Sequence, residues 1–208
     1  KENKSLKDII SVFKLESIWL LMIIILCAYF GYKVTDLYSL YASDIMGYNE
    51  VKSANISSLQ LYLRPIICFT AGFLADQSNG ITWIINGFIL MLVGSLFFAF
   101  GLLVPNQYVL FFTSLIILAT GTYATRALYF AVLKECNIPL ILTGTAVGVV
   151  SLIGYTPDIF AGPLMGFFLD EYPGIKGYQY VFSFLAITVF LGLIASLRFN
   201  QKNRKNIG

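Results

Sequence analysis

The chain has 208 residues, 58% of them hydrophobic and 12% charged, with a net charge of +3 and no histidine. The apolar share is above the ~45–50% of soluble domains and the charged share is about half of their ~25%, which excludes a soluble globular fold. Without histidine the commonest metal ligand and proton shuttle is missing. Cys27, Cys68 and Cys136 stand apart, so they read as free thiols with no zinc spacing. No metal, cofactor or nucleic-acid signature appears, and no nucleophile stands with a base, so an enzyme is not expected.

Residues 1–16 form a Lys-rich segment with apolar positions at Leu6, Ile9, Ile10 and Phe13. It reads as an amphipathic linker on the membrane surface, or as a solvated linker whose periodicity is accidental. Residues 17–199 form one transmembrane domain, and 200–208 a cytoplasmic tail. Six spans are predicted near 17–42, 52–75, 81–103, 108–132, 142–169 and 179–199, each with the ~20 residues that cross ~30 Å. Lys1, Lys4, Lys7 and Lys14 precede the first span, Lys134 lies in the fourth connection, and Arg198, Lys202, Arg204 and Lys205 follow the last. Only Lys52 and Lys176 fall on the other side, so both termini are expected in the cytoplasm of a multi-pass cell-membrane protein.

Charges inside the spans carry the functional signal. The first span holds Tyr29, Lys33 and Asp36 on one helical face, with Tyr32 and Tyr38 nearby. Lys33 and Asp36 can pair locally, or the stripe can face a cavity.

The second span holds Ser57, Gln60, Arg64 and Cys68 on one face. Arg64 is about twelve residues from Asp76, so ~18 Å deep at 1.5 Å per residue. A guanidinium near the bilayer centre costs at least ~3 kcal/mol and cannot shed its proton. It therefore needs an anion, a buried carboxylate or water. An ion pair with Asp158 or Asp36 is the purely structural solution. Pro65 removes a backbone donor beside it and predicts a kink.

The fourth span places Tyr123, Arg126 and Tyr129 at three-residue spacing, which permits cation–π contact or a snorkelling Arg126. In the fifth span Pro157 and Pro163 predict a broken helix, and Gly154, Asp158, Gly162 and Gly166 recur every four residues, a spacing that lets another helix approach. Lys33, Arg64 and Arg126 against Asp36 and Asp158 leave one surplus positive charge.

The stretch Gly72-Phe-Leu-Ala-Asp76-Gln-Ser-Asn-Gly80 resembles the signature loop that joins the second and third helices of each half of major facilitator superfamily transporters. Gly72 and Asp76 match; the usual basic residues are absent, and Asn79 stands at a glycine position that favours positive φ. The run from Lys134 through Thr143-Gly-Thr-Ala-Val-Gly148 to Gly162-Pro-Leu-Met-Gly166 is similar to the fourth connection and fifth helix of these carriers. The resemblance implies an all-α membrane protein whose six transmembrane helices form a 3+3 inverted repeat, half of a major facilitator fold. The partner would be an N-terminal six-helix half of the same carrier, or a second copy. It also implies that the first, second, fourth and fifth spans line the cavity, and the interior charges fall on those four.

The expected function is secondary transport of a small organic anion (sugar phosphate, sugar acid or carboxylate) by alternating access. Arg64, Lys33, Tyr29, Gln60, Tyr155 and Arg126 are the candidate substrate-binding residues, and Asp158 and Asp36 are the candidate coupling or charge-balancing groups. Two alternatives stand beside it. One is a carrier of neutral solutes in which the charges form gating pairs. The other is a membrane scaffold or sensor.

Overall fold

The computed structural model describes residues 12–136, 138 and 140–207. Most of the basic N-terminal segment, including Leu6, Ile9 and Ile10, lies outside the described residues. Among the described residues all regular structure is helical. Six segments are long and apolar enough to cross a membrane: Glu16–Asp44, Glu50–Asp76, Gly80–Ala99, Tyr108–Leu128, Thr143–Glu171 and Ile175–Asn203. The last helix runs on to Ile207, so the expected tail is helical.

The spans alternate in direction. At one end Glu16 accepts hydrogen bonds from Arg198 (3.0 Å) and Lys202 (2.9 Å), and Asn203 donates to Glu135 (3.0 Å) in the fourth connection. At the opposite end Tyr178 donates to Asp44 (2.8 Å) and Tyr41 to the Leu103 carbonyl (2.7 Å). Around these last contacts Tyr38, Tyr41, Phe98, Phe111 and Phe182 form one fully buried aromatic cluster. Each buried hydroxyl that finds a partner offsets its loss of water.

The first span is the hub, packing on the second, fourth, fifth and sixth. Its most apolar stretch is 67% buried, against 17% in the second span and 22% in the fifth. The third span packs on the fourth so closely that glycine is required. A Cβ on Gly121 would meet the Gly87 carbonyl oxygen at 2.5 Å and the Met91 nitrogen at 2.7 Å. One on Gly94 would meet the Leu118 backbone at 2.9 Å.

The helix breaks differ from expectation. Pro65 lies inside an uninterrupted helix Glu50–Asp76, and Pro163 inside Pro157–Glu171. The fifth span does break, after Gly154, with Pro157 opening the second piece, where its missing N–H is no loss. The first span breaks as well, between Val34 and Leu37, without proline. At both breaks a threonine hydroxyl bonds the carbonyl three residues back: Thr35 to Tyr32 (2.6 Å) and Thr156 to Ile153 (2.8 Å). The local amides tighten to i−3 bonds, as Asp36 to Lys33 and Ile159 to Thr156. A threonine side chain that competes for a carbonyl is a recognised source of helix bending.

Candidate functional site

The break at Thr35 shapes the site. There the Thr35 carbonyl accepts a stretched bond from the Tyr38 amide (3.3 Å) and a second one from the Gln60 side chain of the second span (3.4 Å). Gln60 in turn accepts from the Tyr123 hydroxyl of the fourth span (3.3 Å). The first, second and fourth spans are thus joined by one buried polar chain. Beside it opens a cleft of about 210 Å³ lined by Tyr32, Asp36, Ser57, Gln60, Arg64 and Tyr123.

Tyr32 is the centre of this arrangement. The Arg126 guanidinium lies 3.5 Å from its ring centroid, and that of Arg64 lies 5.4 Å from it. Arg64 Nη1 also reaches the Tyr32 hydroxyl at 3.5 Å, the limit of a hydrogen bond. Arg126 stands over the Tyr29 ring as well, at 5.3 Å. Its Nη1 is buried and has no hydrogen-bond partner. The side chain therefore points into the bundle and does not snorkel to the membrane surface. Among the described residues neither guanidinium has a carboxylate at ion-pairing distance. Cation–π contact contributes ~0.5–2 kcal/mol, which does not offset the desolvation of two guanidiniums.

The intramembrane ion pair differs from every pairing expected. Asp158 of the fifth span faces Lys33 (3.4 Å), neither Arg64 nor any other cation. The Tyr29 hydroxyl donates to the same carboxylate, at 2.9 and 3.1 Å to its two oxygens. The tightened turn after Val34 turns Asp36 away from Lys33 and into the cleft that holds Arg64, where it is exposed and has no ion-pair partner among the described residues. Tyr155 supports the pair from its own span: its ring lies 4.7 Å from that of Tyr29, and its hydroxyl is 3.3 Å from that of Tyr129.

Of the expected binding residues, Arg64 and Gln60 meet at the cleft, Arg126 joins them through Tyr32, and Lys33, Tyr29 and Tyr155 gather around Asp158. Tyr29 links the two groups, because its ring meets Arg126 and its hydroxyl meets Asp158. Tyr32, Thr35 and Tyr123 belong to the same site. Tyr32 was noted only as a neighbour in the sequence, and only the backbone break shows why Thr35 matters.

In the loop after the second span, Asn79 has φ −94° and caps the third helix by accepting from the Ile81 amide (3.2 Å). It is a polar N-cap and not a residue of positive φ, as its likeness to a glycine position had suggested. In the fifth span, only Gly154 of the four-residue stripe has a helix pressed on it, through Ile25. Gly162 and Gly166 face open space.

The chain is similar to two Escherichia coli K12 proteins. It is 28% identical to inner membrane protein YqcE over 186 residues, which is 86% of this chain and 43% of that protein. It is 37% identical to inner membrane protein YihN over 87 residues, 40% of this chain and 21% of that protein. The chain spans less than half the length of these curated relatives. No family model matches the sequence, and no solved structure matches the chain. Fold and comparisons together define an all-helical membrane protein.

Proposed function

We propose that this chain is the C-terminal six-helix half of a major facilitator-type carrier that moves a small organic anion by alternating access. The observation that carries this reading is the pair of guanidiniums on Tyr32, half-buried and without a carboxylate partner. A ligand anion supplies the missing charge. Arg64, reached through the cleft, is its primary contact. Arg126 backs it through the ring, and Gln60, Ser57 and Tyr123 offer neutral hydrogen bonds.

The packing pattern supports the inverted repeat. When the first three spans are exchanged with the last three, contact between first and fifth maps onto fourth and second. Third with fourth maps onto sixth with first, and second with third onto fifth with sixth. First with fourth and third with sixth map onto themselves; the contact between first and second has no strong counterpart. The exposed apolar side chains of the second and fifth spans (Tyr62, Phe69, Leu152 and Ile159 are all more than 70% exposed) suit a partner half as well as lipid. Two relatives named inner membrane proteins, each more than twice as long as the stretch matched, agree with a longer carrier in an inner membrane. The basic end, with Lys14, Lys134, Arg198 and Lys202, would face the cytoplasm.

A second reading, a neutral-solute carrier, draws on the Lys33–Asp158 pair, which bridges two broken spans in the manner of a gate. A stabilisation panel on the full-length protein in detergent separates the two. Sugar phosphates, sugar acids and small carboxylates are set against neutral sugars. A ligand at a hundred times its Kd adds ~2.7 kcal/mol. We expect an anion to raise Tm, and Arg64→Gln to abolish the rise. A neutral sugar that stabilises both proteins equally would replace the anion reading with the gating one.

A further inference from the structure

The cleft that holds Arg64 also holds a carboxylate. Asp36 lines it together with Ser57 and Arg64, and the two opposite charges do not pair. Asp36 stands at the N-cap of the second piece of the first span, where an aspartate ordinarily accepts from an amide of the first helical turn. Here it does not. Its backbone keeps helical angles through the break (φ −64°, ψ −21°), and its side chain makes no capping bond. The exposed carboxylate is therefore not used by the helix, nor by any cation among the described residues.

The second span fixes where this carboxylate stands. Gln60 bonds the Thr35 carbonyl, next to Asp36, and lies four residues before Arg64. Asp36 is thus held about one helical turn, ~6 Å, along the axis from the level of Arg64. Ser57, three residues before Gln60, brings a hydroxyl to the same face.

The local charges leave a surplus of one. Lys33 and Asp158 neutralise each other beside Tyr29. Arg64 and Arg126 share the Tyr32 ring, and Asp36 alone opposes them in the cleft. A monoanion on Arg64 balances the surplus. A dianion overshoots it and brings its second charge toward Asp36. A carboxylate accepts hydrogen bonds and donates none, so the far end of the ligand must carry donors. An ammonium would donate as well, but a zwitterion has no net charge to match the surplus.

Resting on the anion reading, we propose that Asp36 is a specificity-determining residue: it restricts the cleft to polyhydroxylated monoanions, whose charge meets Arg64 and whose hydroxyls donate to Asp36. Phosphate monoesters and dicarboxylates are turned away by charge, and plain fatty carboxylates by the lack of a donor. A fixed repulsive group of this kind gives selectivity that attraction to Arg64 cannot give by itself.

Matched six-carbon ligands test this on the full-length protein in detergent. Gluconate has one charge and hydroxyls, glucarate has a second charge at its far end, hexanoate has no hydroxyls, and 6-aminohexanoate is the zwitterion. Glucose 6-phosphate is a second dianion. We expect the wild type to bind gluconate about tenfold or more tighter than each of the others, the scale of one charge-assisted hydrogen bond or one close like-charge contact. Asp36→Asn keeps the size and an acceptor but not the charge. It should bind glucarate about tenfold tighter and gluconate about threefold weaker than the wild type. Opposite changes for two ligands are not produced by a general disturbance of the fold, and Tm confirms that the variant is folded. Arg64→Gln should lose both ligands.

The wild-type ranking is a test without any variant. Glucarate, glucose 6-phosphate, hexanoate or 6-aminohexanoate bound as tightly as gluconate, with binding lost in Arg64→Gln, overturns this inference and leaves the anion site standing. A folded Asp36→Asn that changes all ligands alike, or none, also overturns it and makes Asp36 a solvated or structural charge. No anion bound by the wild type overturns the anion reading and this inference with it.

Discussion

The first span and the second and fifth spans solve opposite problems. The first is enclosed by four neighbours, yet it carries Tyr29, Tyr32, Lys33 and a broken turn. The second and fifth are mostly exposed, yet the second donates Arg64 and the fifth Asp158 to the same site. A polar group in a buried helix needs a fixed partner, and the first span meets that need with rings, a threonine turn and one ion pair. An exposed helix can present a charge at a cleft and leave its other face apolar for lipid or protein. Stability therefore sits on the first, third, fourth and sixth spans, and the chemistry sits where that rigid set meets two loosely held helices.

The sharpest way to break this division is at Gly121. The Gly87 carbonyl oxygen, the Met91 nitrogen and the Met91 side chain all lie within 2.8 Å of where its Cβ would stand. Gly121→Val should destabilise by about 3 kcal/mol or prevent folding, because backbone on the facing helix cannot move aside. Equal changes at Gly162 or Gly166, with nothing within 4 Å, should leave the fold within about 0.5 kcal/mol. Chemical or thermal unfolding of the three variants tests the contrast. A Gly162→Leu variant that folds normally but fails to assemble in the full-length protein would show that the open face is an interface.

The next effect is smaller in stability and larger in function. Arg126 has a buried, unpartnered nitrogen, so Arg126→Met should raise stability by about 1–2 kcal/mol while abolishing anion binding. A destabilised Arg126→Met would mean that the cation–π contacts with Tyr32 and Tyr29 hold the bundle together. The charge would then belong to the fold.

The six spans were legible because long apolar runs admit no other reading, and the charged residues that gather in the candidate cleft stood out because charge in such runs is costly. Their pairings were not. Lys33 and Asp36 share a face in an ideal helix, and only the turn at Thr35 separates them. That turn carries no proline or glycine, and a lone threonine in a span is a weak sign of a break. Pro65 carried the stronger sign, yet the helix runs through it. The stripe of small residues in the fifth span holds one packed glycine, Gly154, and two that nothing presses on, Gly162 and Gly166. The glycines that seat the third span on the fourth, Gly87, Gly94 and Gly121, have no charge beside them to mark them.

The smallest expected effect lies outside the membrane, at the end where Glu16 and Asn203 hold the helices together. Glu135 sits in the fourth connection, half-buried, and burial raises its pKa above the usual value while the Asn203 amide opposes the rise. A carboxyl whose folded value is raised favours the folded state at acid pH, and that contribution is lost as the pH rises through the folded value. At neutral pH the ionised Glu135 is therefore a mild liability. Glu135→Gln keeps an acceptor for Asn203 and should gain less than about 1 kcal/mol at neutral pH, discounted for solvent screening, and nothing at acid pH. Tm measured at both pH values tests the sign. A loss at neutral pH would mean that the charged hydrogen bond to Asn203 outweighs burial, and that the helix ends are as tightly specified as the glycine-packed centre.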